Sequence, residues 1–189
     1  MDAFEVLGLP RRPWLDARDI RVAFQELSRN LHPDAVGGDA GRFVALNAAH
    51  ATLSHPGARL RLLAGGSAPG VEGSLPTGDS DLFMLVGAIV HKARALRTKA
   101  TAATSALSRA LLAADASRIC GDVEMGLGQI DAALGAAEER LRAMDEAWPT
   151  VSAADLQALA TRFDRLMKWR SELADFLPEF RSLFRGGSA

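Results

Sequence analysis

Cysteine is almost absent: Cys120 stands alone in 189 residues, so neither an internal disulfide framework nor a Cys-x-x-Cys metal knuckle can form within one chain. A reducing compartment fits that usage. Charge of one sign is also lacking, because 22 Lys and Arg face 23 Asp and Glu, and the formal charge of −1 removes any global basic signal for nucleic acid. No stretch of about 18 uncharged apolar residues occurs that could span a bilayer. The start, with Asp2 and Glu5, lacks the basic stretch and apolar run of a secretory signal. These absences predict a cytoplasmic protein with neither membrane nor nucleic acid among its partners. No His-Glu-x-x-His or comparable spacing points to a metal, and no cofactor is expected. What remains, 48% hydrophobic and 24% charged, is ordinary for a folded protein of one domain or two small ones.

The apolar periodicity is helical throughout. Ile20, Phe24, Leu27 and Leu31 form one stripe of a helix predicted from Asp16 to Leu31, and Arg18, Arg21, Gln25 and Arg29 form a separate, mostly basic stripe on it. Pro33 has no N–H and pushes His32 out of the helical region, so that helix stops there. Gly37 and Gly38 allow the chain to reverse. Asp39 caps the next helix, with Phe43, Leu46, His50 and Leu53 inward. Residues 66–80 are dense in Gly, Pro and Ser and read as a linker.

Beyond the linker, Leu82, Leu85, Ile89, Ala93, Leu96, Ala100, Ala103 and Leu107 alternate steps of three and four. A second run passes through Val123, Leu127, Ile130, Leu134, Ala137, Leu141 and Met144 to Trp148-Pro149. The break between the two is predicted near Ala113 to Ala116, with Asp115 as the cap, or as a bend in one helix. Gly121, Gly126, Gly128 and Gly135 weaken the second run by about 1 kcal/mol each against alanine, or permit close helix approach. Ser152 and Asp155 open a third run through Leu156, Leu159, Phe163, Leu166, Leu173 and Leu177. Three such stripes are most simply buried as an antiparallel three-helix bundle.

Four segments in order resemble a J-domain, the module by which co-chaperones engage DnaK-type chaperones: Ala3 to Leu9, His32-Pro33-Asp34 after its basic helix, Leu46 to Leu53, and Ser54-His55-Pro56 with Arg59 to Leu63. A J-domain over 1–65, a linker over 66–80, a bundle over 81–184 and a disordered tail over 185–189 make an all-α chain similar to the HscB-type co-chaperones of iron-sulfur cluster assembly. The absence of an N-terminal pair of Cys-x-x-Cys motifs excludes the zinc-bearing eukaryotic form.

The resemblance implies a non-enzymatic co-chaperone of a DnaK/HscA-type chaperone. His32, Pro33, Asp34, Arg18, Arg21, Gln25 and Arg29 would dock on the chaperone's nucleotide-binding domain and favour ATP hydrolysis. Pro33 keeps the loop stiff, and Asp34 offers a carboxylate to a partner arginine. Leu82, Phe83 and Met84, with Trp169 in the stretch Lys168 to Leu173, would meet an iron-sulfur scaffold as client, Phe83 and Met84 being the pair expected at the surface. The chain departs from the family at Ala35, where lysine is usual, at His50, where a large aromatic is usual, and at Val86 to Val90, where an acidic stretch is usual. Two other readings stay open: a bundle serving oligomerisation or another client, and a helical adaptor that stimulates no chaperone.

Overall fold

The computed structural model describes residues 2–32, 39–66 and 79–185. The regular structure within them is α-helical, with no strand among the described residues. The helices are α1 (Ala3–Leu7), α2 (Ala17–Leu31), α3 (Ala40–Ser54), α4 (Pro56–Leu63), α5 (Ser80–Ala102), α6 (Ala106–Glu146), α7 (Ala153–Ala174) and α8 (Phe176–Arg185). Their starts follow local chemistry. The Asp16 carboxylate accepts the Arg18 N–H at 2.7 Å and Asp39 accepts that of Arg42 at 3.0 Å, so each satisfies a donor that the first turn leaves open. Ser152 Oγ accepts the Asp155 N–H at 3.1 Å and donates to its carboxylate, opening α7 as the Ser-x-x-Asp spacing predicts.

Contacts group the chain into two units: Met1–Val71 with Ala137–Asp164, and Glu72–Ala136 with Arg165–Ala189. In the first, α3 is the hub on which α1, α2 and α4 pack. Leu46, Leu53 and Leu60 are fully buried there, each worth about 1.5–3 kcal/mol of transfer free energy. Arg59 is buried among them and donates from Nε to the Pro13 carbonyl at 2.8 Å and from Nη1 to that of Leu53 at 2.5 Å. Burial pulls the Arg59 guanidinium down to about 10, against the attraction of Asp145. Asp145, on the last turn of α6, accepts from Arg12 and from the Trp14 N–H at 2.9 Å. Burial pushes its carboxyl up, but these bonds and the charges of Arg12 and Arg59 hold it below the usual range. Asp164 pairs with Arg61, and a Cβ at Gly57 would run into the Asp164 carboxylate and stand 3.0 Å from the Ala160 carbonyl, so a side chain there requires Asp164 to move.

In the second unit, ion pairs report the helix directions. Lys92 meets Asp122, while Arg170 meets Asp131 and Arg181 meets Glu124, so α6 runs antiparallel to both α5 and the α7–α8 stretch. Arg94 with Glu172 and Arg97 with Glu179 set α5 parallel to that stretch. The buried positions of α5 are Leu82, Val86, Ile89, Val90, Ala93 and Leu96. Leu107, expected at the end of this stripe, is instead exposed on α6.

The expected break near Ala113 to Ala116 is corrected: α5 ends at Ala102 and α6 runs unbroken from Ala106. Ser105 and Ser108 exchange backbone-to-hydroxyl hydrogen bonds at 3.0 and 3.2 Å, a reciprocal cap that fixes the start. The alanines at 113, 114 and 116 favour continuation, and Asp115 pairs with Arg118 mid-helix. Likewise the third run does not extend unbroken to Leu177. Pro178 cannot donate to the carbonyl of residue 174, so α7 ends there and α8 begins.

Candidate functional site

The end of α2 is built to present His32. Its N–H caps the helix on the Ser28 carbonyl at 3.1 Å, and its ψ of 134° turns the chain outward, as a residue before proline requires. The imidazole lies edge-on to Phe43 at 5.3 Å between ring centroids, which couples the end of α2 to the first turn of α3. The Asp39 N–H donates to the Leu31 carbonyl at 3.3 Å, closing the two helix ends on each other. Pro33 and Asp34 lie outside the described residues, as do 67–78 of the expected linker and 186–189 of the expected tail.

Arg18, Arg21, Gln25 and Arg29 are all exposed on α2, on the side away from buried Ile20. No side-chain hydrogen bond or ion pair to another described residue engages Arg21, Gln25 or Arg29, so their donors face water. Asp19 and Glu26 lie on the flank of this stripe, and the positive face is continuous down to His32. His50 is half-buried, with its ring 4.3 Å from that of Phe24, so it joins α2 to α3 as a packing residue. Such a surface can attract an acidic protein face and donate hydrogen bonds to it.

The four candidate client residues divide by exposure. Leu82 and Trp169 are buried, whereas Phe83 is 46% and Met84 69% exposed. The Phe83 ring stands 5.8 Å from that of Trp169, which forms the floor beneath it. Arg59 is the residue whose part sequence reasoning missed. Its signal was a charged residue inside the Leu60 and Leu63 stripe, where only a paired cation can be buried.

Residues 2–61 match the DnaJ domain family. The J-domain match thus takes in α1 to α3, the basic face and the His32-Pro33-Asp34 tripeptide. Chaperone protein DnaJ 2 of Nocardia farcinica (strain IFM 10152) is 40% identical over an alignment of 77 residues, covering 36% of this chain. The match spans only 20% of that relative's length. Among solved structures, the chaperone HscB from Vibrio cholerae is similar over 99% of both chains, with a TM-score of 0.50 and 18% identity, which extends the likeness in fold beyond the J-domain to the helices that follow it. No helix among the described residues is long and apolar enough to cross a membrane.

Proposed function

We propose that this chain is a co-chaperone that binds a DnaK-type chaperone through its J-domain, stimulates ATP hydrolysis and delivers a client. The observation that carries this reading is the match of residues 2–61 to the DnaJ domain, with its exposed basic face on α2 leading to His32. Arg18, Arg21, Gln25 and Arg29 supply electrostatic attraction to an acidic partner surface. This raises the encounter rate more than the final affinity and weakens as salt rises. His32 and Asp34 then fix the docked geometry, with Pro33 limiting the ordering cost. The chain itself performs no chemistry in this scheme, and the hydrolysed bond belongs to the chaperone's nucleotide.

Single-turnover ATP hydrolysis by a DnaK-type chaperone from the same genome tests the proposal. The parent is expected to accelerate hydrolysis, His32→Gln to abolish the acceleration, and added salt to reduce it. A parent that leaves the rate unchanged, or a His32→Gln variant as active as the parent, overturns the reading in favour of an adaptor without chaperone stimulation.

For the client, we propose an iron-sulfur scaffold protein, held through Phe83 and Met84. The fold likeness to HscB and the exposure of these two apolar side chains support it. A pull-down with the scaffold should lose capture in the Phe83→Ala, Met84→Ala double variant. Met84 is largely and Phe83 about half exposed, so the comparison is made with the variant's circular dichroism and melting temperature shown to match the parent's. Equal or absent capture by parent and variant would assign the bundle to another client or to oligomerisation.

A further inference from the structure

The outermost position of α2 is apolar. At about 100° per residue, Val22 lies about 160–200° around the helix from Ile20, Phe24 and Leu31, the inward stripe, so it points away from that seam. It is 42% exposed, and no other large apolar side chain of α2 is exposed. The summit of an amphipathic helix is ordinarily charged or polar.

Single exposed apolar residues are common on protein surfaces, and it is the neighbours of this one that set it apart. Arg18, Gln25 and Arg29 lie about 20–60° to one side of Val22, on the turns before and after it, while Asp19 and Glu26 lie about 40–60° to the other. Val22 therefore borders the basic stripe midway along its length, where one more cation would have widened it. Valine is also a poorer helix former than lysine, arginine or glutamine, because its branched Cβ loses χ1 freedom. Neither burial nor helix propensity within the chain gives a reason for it.

Charge and apolar contact contribute differently to docking. Exposed guanidinium groups speed the encounter, and salt screens them beyond about 10 Å or less. An apolar side chain seated against another drives water out and holds the complex by a contribution that simple salt leaves nearly unchanged. Protein interfaces combine the two as a charge-poor centre and a polar rim. On α2 the same order is present: Val22 has the place of the centre, and Arg18, Arg21, Gln25 and Arg29 have that of the rim.

We propose that Val22 is the apolar anchor of the docking face on α2. It seats against an apolar spot on the DnaK-type partner, and carboxylates of that partner border the spot on one side only, opposite Arg18, Gln25 and Arg29. The partner surface that fits is therefore not uniformly acidic, and Val22 supplies the part of the affinity that survives salt. This inference rests on the chaperone reading and adds to it the residue that selects among acidic partner surfaces.

Single-turnover ATP hydrolysis by a DnaK-type chaperone from the same genome, with the full chain titrated in at about 0.05 M and about 0.5 M potassium chloride, tests it. Val22→Thr keeps the branched shape and the charge of the face and exchanges one methyl group for a hydroxyl. It is expected to raise the half-saturating concentration about fivefold at both salts and to leave the saturated rate unchanged. Val22→Lys widens the basic stripe, so docking governed by charge alone would tighten; with the apolar seat lost, it is expected to weaken about tenfold at the higher salt. Val22→Ile is expected to dock as the parent does. Circular dichroism and melting temperatures matched to the parent's show that each variant folds. The inference is overturned if the parent accelerates hydrolysis but Val22→Thr stays within about twofold of it, if Val22→Lys docks more tightly than the parent at the higher salt, or if the parent's docking vanishes there; each of these leaves the chaperone reading standing. A parent that accelerates nothing at either salt overturns both.

Discussion

Gly126 and Gly128, two residues apart on α6, meet opposite surroundings, so replacing each by alanine should move stability in different directions. Alanine in place of glycine in a helix interior contributes about 1 kcal/mol of propensity. At position 128 the new methyl meets nothing within 4 Å, and that gain should appear whole. At position 126 the methyl would stand 2.8 Å from Ile89 Cδ1 and 2.9 Å from Leu173 Cδ1, well inside the roughly 3.5–4.0 Å at which carbon atoms rest. Both neighbours are buried in the bundle core, where displacement costs about 1–3 kcal/mol. Gly126→Ala should therefore range from neutral to about 2 kcal/mol destabilising. Subtracting the two variants cancels the propensity, so the difference of about 1–3 kcal/mol measures the helix contact alone. At about 2–4 °C per kcal/mol for a chain of this size, the melting temperatures should separate by several degrees. Urea and thermal unfolding followed by circular dichroism make the comparison. If Gly126→Ala stabilises as much as Gly128→Ala, the close approach of α5, α6 and α7 at this level is wrong.

Burial, with the charges of Arg61 and then Arg59, holds the His55 imidazole below its ordinary value of 6.5. The folded chain therefore takes up its proton later than the unfolded chain. Stability should be whole above pH 6.5 and decline as pH falls from there through the depressed folded value. Protonation also costs the acceptor that Nδ1 offers to the Ala58 N–H at 3.3 Å. Urea curves across this range should show a shallower decline for His55→Gln, and an identical slope would refute the assignment. Arg59→Met keeps the volume of the side chain but leaves the Pro13 and Leu53 carbonyls without donors. We expect a loss of about 2–4 kcal/mol in urea unfolding. A loss under about 1 kcal/mol would mean that water replaces the guanidinium at both carbonyls.

Much of the J-domain was legible because its signals are local. Asp16 and Asp39 cap helices within three residues, Pro33 ends α2 by its own covalent structure, and the basic stripe needs only the period of the helix. The exposure of Phe83 and Met84 followed from the same period, since Leu82 already faces inward. What escaped depends on partners distant in sequence. The start of α6 turned on a Ser105 and Ser108 cap hidden among alanines, while Asp115 looked like a cap and is a mid-helix ion-pair partner. Leu107 fitted the apolar rhythm yet lies on the far side of the turn, exposed. The burial of Arg59 is specified by carbonyls at residues 13 and 53, and the pairing of Arg12 with Asp145 crosses more than a hundred residues, so neither leaves a periodic trace. Of the four glycines in the second run, Gly126 alone serves close approach among the described residues, because it faces inward, against Ile89 and Leu173, while the other three lie on the exposed side.

Phe43 lies outside the tripeptide and outside the arginine face, yet its ring packs edge-on against the imidazole of His32. Loss of that ring, as in Phe43→Ala, would leave the tripeptide and the arginine stripe unchanged in sequence and remove a ring against which the imidazole rests. A motif read from sequence alone carries no trace of that support, which sits at the fourth position after the Asp39 cap.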